Sequence, residues 1–270
     1  MQSNQAFWEK GDFTQLAAFM RDSGEELVDG LDIRPGMQVL DVGCGDGTTA
    51  LPAARRGARV LGVDIARNLV AAGNARAQAE GLDDCRFQQG DASRLEGIAD
   101  RSVDLLLSFF GAMFAPDPLA VAREFVRVTR PGGRIVMGNW IADDPSFISQ
   151  VLKISARFSL PPPEGFISPM GWGAEANVRA RFGAAGVAPA QIACARETYL
   201  FRAPVEPAGF IAVLRDYYGP AMSAFEAAAQ AGNGDALQRE LEALARAHNT
   251  SARADTTVIP ATFLKVVVSL

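Results

Sequence analysis

The chain has 270 residues, 49% hydrophobic and 21% charged, with 26 Lys and Arg against 31 Asp and Glu for a formal net charge of -5. That composition describes one large globular unit, which buries roughly 75% of the surface its unfolded form exposes and needs no staple. Three scattered cysteines, Cys44, Cys85 and Cys194, exclude a disulfide framework and a cysteine-ligated zinc site, and the acidic balance argues against a nucleic-acid partner.

Taken in order, residues 1–30 read as an N-terminal helical segment. Short β-rich runs then follow at 37–42, 59–63, 85–88, 103–109 and 134–140, several of them continuous in Val, Ile, Leu or Phe. Continuous apolar runs are what strands covered on both faces look like. Helical patterns separate them at 46–56, 66–80 and 118–130, the last with Leu119, Ala122, Phe125 and Val126 on one side. This alternation predicts an α/β fold with a mostly parallel, doubly wound sheet and right-handed crossovers. The longest nearly apolar run, 105–115, contains Ser108 and is about half the ~20 residues a membrane span requires. A soluble, cytoplasmic protein with no membrane partner is expected.

After Trp140 the rhythm changes. A helix over 145–158 should be stopped by Pro161, Pro162 and Pro163, whose rings fix φ, and a second is expected over 174–185. Residues 191–202 alternate like a strand, 204–254 look helical with Leu237, Leu241, Leu244 and His248 on one stripe, and 256–269 is a last β-rich segment. The expected layout is a core over 31–142 and a C-terminal half over 143–270 that completes the sheet, with a helical lid at about 204–254 inserted between two antiparallel strands.

The most informative segment is V-L-D-V-G-C-G-D-G, a strand running into Gly43, Gly45 and Gly47. Glycines there let the backbone turn tightly and approach a ligand, next to the free N–H groups of a helix start. Position 48 is Thr48, so the dinucleotide pattern G-x-G-x-x-G is not met. Asp41, two residues before the first glycine, would repel a pyrophosphate and welcome an ammonium group. Asp64 ends R-V-L-G-V-D, where an acid can accept both hydroxyls of a ribose, and Asp91 in Q-G-D-A can accept from an exocyclic amine such as that of adenine. An ammonium, a ribose and an adenine in a row describe S-adenosylmethionine.

On these residues the chain resembles the class I S-adenosylmethionine-dependent methyltransferases, of the branch that includes quinone-biosynthesis and natural-product enzymes. The match covers about 32–140, including R-P-G-G-R before the fifth strand, and the lead-in F-W-E-K-G-D-F with Trp8, Gly11 and Asp12 is similar to one in bacterial members. The resemblance implies a Rossmann-like sheet of seven strands with the last antiparallel, and an N-terminal segment packed on the cofactor site. It also implies that Asp41, Gly43, Cys44 and Gly45 hold the methionine part and Asp64 the ribose, with Ile65 against the adenine and Asn68 near the ribose. Asp91 and Ala92 would meet the adenine edge, and Ser108, Phe109 and Phe110 the sulfonium side. F-F-G-A-M-F after the fourth strand is apolar where many members are polar, so no catalytic base is carried over.

Met113, Phe114, Trp140, Trp172, Tyr217 and Tyr218 are candidates for an acceptor pocket, although each singly also reads as core. His248, the only histidine, falls in register with the leucine stripe and reads as packing, and Cys44 reads as a small residue in a crowded loop. No metal is expected. The reading is methyl transfer to a C, O or N nucleophile of a small molecule by in-line displacement, dominated by proximity. The rivals are a catalytically silent S-adenosylmethionine-binding protein and an NAD(P)-dependent oxidoreductase on a similar sheet. The sequence leaves the oligomeric state open, a homodimer included.

Overall fold

Central strands covered on both faces, 103–109 most completely, set the frame of the computed structural model, which describes residues 4–159, 161 and 164–270. The chain begins with helices α1 (Asn4–Glu9), α2 (Thr14–Ala17) and α3 (Arg21–Asp29). It then alternates β1 (Gln38–Val42), α4 (Ala50–Arg55), β2 (Arg59–Asp64), α5 (Arg67–Ala79), β3 (Cys85–Gln89), β4 (Val103–Phe109), α6 (Pro118–Val128) and β5 (Thr129–Trp140). Helices α7 (Phe147–Phe158) and α8 (Glu175–Ala184) lead to β6 (Ile192–Ala203). Helices α9 (Pro207–Tyr217), α10 (Gly219–Gln230) and α11 (Gly234–His248) separate β6 from β7 (Thr257–Ser269).

The strands form one seven-stranded sheet in the order β3-β2-β1-β4-β5-β7-β6. The pairs from β3 to β5 are parallel, and β7 runs antiparallel to both β5 and β6. Leu105, Leu106 and Leu107 are all fully buried because alternate side chains enter cores on opposite faces: Leu106 packs in one, Leu105 and Leu107 in the other. The edge strand β6 instead buries alternate residues, Tyr199, Phe201 and Ala203, on a single face. The expected sheet, its antiparallel closing pair and the helical insertion between that pair are all present.

Two boundaries differ from the sequence expectation. The helix after the glycine turn starts at Ala50 rather than near residue 46, because Gly43, Gly45 and Gly47 all have positive φ and keep the chain turning. Strand β5 starts at Thr129, not Arg134, because Thr129 pairs with Val103 across a register shift that absorbs R-P-G-G. The expected stop at Pro162 and Pro163 lies outside the described residues, and α7 ends at Phe158. Among the described residues no helix is long and apolar enough to cross a membrane.

The N-terminal helices clasp the sheet through polar contacts. Ser23 Oγ donates to the Leu200 carbonyl and accepts from Arg202, and the Tyr199 hydroxyl donates to the Met20 carbonyl at 2.5 Å. Asp46, in the turn after β1, is 1% exposed and takes both Arg21 at 3.0 Å and Arg76 at 3.1 Å. These contacts fix α3 against the strand ends at which the site lies.

Candidate active site

The C-terminal ends of parallel strands are where an open α/β sheet leaves a crevice, at the point where strand order reverses. Here the reversal falls between β1 and β4, and the cavity opens above it. Its volume is about 1150 Å³ including the open mouth.

The turn after β1 is held from three sides. Gly43 N–H donates to the Val63 carbonyl at 2.7 Å. Asp64 Oδ2 accepts from Gly45 N–H at 2.9 Å, and Oδ1 accepts from Ala66 N–H at 2.9 Å. Gly43 lies so close to Gly111 that a Cβ on it would stand 2.6 Å from the Gly111 Cα. Gly45, by contrast, has φ +55° and nothing within 4 Å of the position a Cβ would take, leaving its backbone open to a ligand. Ser108 secures the facing loop: its hydroxyl donates to the Val42 carbonyl at 2.7 Å and accepts from Ala112 N–H at 3.1 Å.

Asp41 lies behind this turn, 1% exposed, with Oδ2 accepting from the Thr49 hydroxyl at 2.6 Å. Its Oδ1 has no partner among the described residues. Burial, with a smaller push from the Asp64 charge, raises its pKa to about 7. Burial also raises Asp64 and pushes the Cys44 thiol far up, so that thiol is no nucleophile at neutral pH. Asp91, ending the loop after β3, braces Ser93 through Oδ1 and lines the cavity beside Gly90 and Ala92.

Of the residues singled out from sequence, Gly43, Cys44, Gly45, Asp64, Ile65, Asp91, Ala92, Phe109, Phe110, Phe114, Trp140 and Tyr218 all line this one cavity. Others do not reach its wall. Asp41 and Ser108 are buried beneath it, Asn68 turns its amide to the Gly11 carbonyl, and Met113 is 2% exposed in the core. Trp172 is buried against Phe182 with the Arg181 guanidinium 4.5 Å from its ring, and Tyr217 offers its carbonyl side to Gly11. His248 is also off the wall, with its ring 6.1 Å from that of Phe147.

Sequence reasoning missed half of the far wall. Phe110 sits in the left-handed region at φ +58°, with its ring stacked on Trp140 at 3.7 Å and 4°. Tyr199 meets the Phe110 ring edge-on at 5.1 Å, and Tyr199 and Phe201 complete that side from β6. The roof comes from Trp8, Phe13, Leu16 and Met20 of the N-terminal helices, with Phe114 and Tyr218. Trp8 packs against Phe114 at 5.0 Å, and Tyr218 is the one member of the 204–254 helical segment that reaches the wall. The signal for Trp8 was its aromatic lead-in; none marked Tyr199 or Phe201 beyond strand alternation.

Residues 40–137 match a family model described as a methyltransferase domain. An uncharacterized protein of Mycobacterium tuberculosis is 37% identical over 188 residues, covering 67% of this chain and 65% of that protein. The chain thus spans slightly less than two thirds of the length of that relative. Nocamycin O-methyltransferase of Saccharothrix syringae is 39% identical over 120 residues, 43% of this chain and 42% of that enzyme. Among solved structures, the YcgJ protein of Bacillus subtilis aligns over 92% of this chain and 99% of its own, with TM-score 0.59 and 20% identity. A phosphoethanolamine N-methyltransferase of Haemonchus contortus, solved with S-adenosylhomocysteine, aligns over 99% of this chain and 60% of its own, with TM-score 0.60 and 15% identity. At these identities the structural matches speak for the fold alone. Residues 40–137 therefore carry a methyltransferase domain, set in a seven-stranded sheet of the fold that the aligned structures share.

Proposed function

We propose that the protein transfers a methyl group from S-adenosylmethionine to a small-molecule acceptor. The observation that carries this reading is the set of three carboxylates, Asp41, Asp64 and Asp91, at or just beyond the ends of the adjacent strands β1, β2 and β3, around one glycine turn and under one cavity. The residues suit such a cofactor. The open face of Gly45 admits close approach of a ligand to backbone, and the partnerless Oδ1 of Asp41 leaves buried negative potential behind the turn. Bound there, the cofactor supplies an electrophilic methyl group on a positively charged sulfur.

The roles proposed for the chain's own groups are binding and orientation. Asp64 gives one lone pair on each oxygen to the backbone and keeps the others for the hydroxyls of a ribose. Asp91 accepts the adenine amine, with Ala92 and Ile65 along the ring. Ser108 pins the segment from Phe109 to Ala112 against the turn, so the acceptor wall and the cofactor cradle are one rigid unit. Trp8, Phe13 and Tyr218 roof the cavity and exclude water. Among the described residues lining it there is no Lys, Arg or His, so no side chain is assigned as a general base. The relative named as an O-methyltransferase supports a small-molecule acceptor.

Calorimetric titration of the full chain with S-adenosylmethionine, S-adenosylhomocysteine and NAD, followed by turnover with an acceptor library, tests the reading. Heat from the first two and formation of S-adenosylhomocysteine support it. Binding without turnover across the library favours a silent binding protein, and heat from NAD alone defeats the proposal.

A further inference from the structure

Resting on the methyl-transfer reading above, we infer that the far chamber of the cavity takes a planar, conjugated, uncharged acceptor, held between ring faces and tethered by the Tyr218 hydroxyl. Rings dominate the wall, with Trp8, Phe13, Phe110, Phe114, Trp140 and Tyr199 on it, and Phe201, Leu16, Met20 and Ile148 fill the gaps between them. Phe110 and Trp140 are stacked parallel at 3.7 Å, and Tyr199 closes on Phe110 at 86°. Phe110 has a left-handed backbone, an uncommon conformation for a bulky residue, and its ring is held by Trp140, Tyr199 and Phe263 packed around it. A wall of fixed ring faces and edges complements a flat π-system, through offset stacking and edge contacts, better than it does a saturated or branched molecule.

Charge narrows the class further. No cationic side chain lines the chamber among the described residues, so a sulfonate, phosphate or remote carboxylate would be buried without a partner. The acids of the cavity, Asp64 and Asp91, stand at the strand ends that carry the glycine turn, not on the aromatic wall, so a remote ammonium finds no partner either. The polar side chains on the wall away from the glycine turn are Asn4, at its N-terminal rim, and two tyrosines. The Tyr199 hydroxyl is committed to the Met20 carbonyl. Tyr218 is 5% exposed, lines the chamber, and its hydroxyl has no hydrogen-bond partner among the described residues. Burial holds its phenol above the usual tyrosine range, so it keeps its proton and donates. A phenol that keeps its proton and is not committed to another protein group is available to donate to an acceptor oxygen on the ligand.

The test is calorimetry, with tryptophan fluorescence as a second readout, on the full chain saturated with S-adenosylhomocysteine. The probes are naphthol, its saturated analogue decalol, a naphtholsulfonate and naphthalene. Naphthol should bind and quench tryptophan emission, and decalol and the sulfonate should each bind at least about tenfold more weakly. Tyr218→Phe should weaken naphthol about tenfold and leave naphthalene unchanged, with its melting temperature and S-adenosylhomocysteine affinity as the check on folding. If S-adenosylhomocysteine binds but naphthol gives no heat, or the sulfonate binds as well as naphthol, this inference falls and the methyl-transfer reading stands. If S-adenosylhomocysteine gives no heat, both fall.

Discussion

Asp64 Oδ2 accepts the Gly45 N–H at 2.9 Å, so the acid that ends the second strand also braces the turn that follows the first. Its other oxygen takes the Ala66 N–H at the start of α5. One carboxylate therefore ties two strand ends and a helix entry around the place where a nucleoside would lie. Asp64→Asn keeps the shape but replaces one acceptor oxygen by a donor facing a backbone N–H. It should lower S-adenosylhomocysteine affinity at least about tenfold while costing about 1–3 kcal/mol of stability. Calorimetry and urea melts read the two effects separately, and unchanged affinity would remove Asp64 from the cofactor site.

Asp41 makes stability depend on pH in a direction opposite to an ordinary surface acid. Burial raises its pKa in the fold to about 7, so between the ordinary carboxylate range and that value the folded chain holds a proton the unfolded chain has released. Its contribution is complete at low pH and is lost as pH rises through about 7. Asp41→Asn should flatten this part of the stability profile, measured as urea midpoints across that window. A cationic ligand that draws Asp41 into its charged form should release a proton on binding, seen as buffer-dependent heat at about pH 7 in the parent and absent in the variant.

Two glycines of the site should separate folding from binding. A Cβ at Gly111 would sit 2.2 Å from the Gly43 carbonyl oxygen, a collision between two backbones with no side chain to yield. Gly111→Ala should therefore destabilise by several kcal/mol, of order 3 or more, and express poorly. Gly45 has open space at the Cβ position and a left-handed φ of +55°. Gly45→Ala should cost only about 1–2 kcal/mol, fold, and lose most cofactor affinity because the methyl group occupies the approach to the turn. Equal affinity in the folded Gly45→Ala protein would show that no ligand uses that face.

Asp46 joins the N-terminal helices to the turn through Arg21 and Arg76 while itself 1% exposed. Its removal strands two guanidinium groups, and Arg76 is the more enclosed of them. Asp46→Ala should cost about 3 kcal/mol, as expected when one partner of a buried pair is deleted. Arg21→Ala, whose side chain is 42% exposed, should cost less than half of that because Arg76 still satisfies the acid. A chemical-denaturation series on the three proteins decides the ranking.

Much of the fold was legible in order along the chain. Leu105 to Leu107 announced a strand covered on both faces, and the switch to looser alternation after residue 190 announced the edge strand and its antiparallel partner. The glycine turn and the acids Asp64 and Asp91 were legible for a related reason: residues at the ends of parallel strands necessarily meet along one sheet edge. Local spacing and strand order carry that information without any side-chain packing. The late start of α4 was not legible, because helix periodicity does not reveal that three successive glycines adopt positive φ.

The acceptor side was decided in three dimensions. Trp8, Phe110, Trp140, Tyr199 and Tyr218 come from five separate parts of the chain, and their apolar character alone is equally that of core residues. Trp172 and Met113 have the same character and went into the core instead. What sorts these rings is the distance between the sheet edge and the helices above it, set by the docking of α3 through Ser23 and Asp46 and by packing across more than one hundred residues of sequence. A periodic pattern states which face of an element is apolar; only the assembled layers state whether that face meets another layer or a space that a ligand fills.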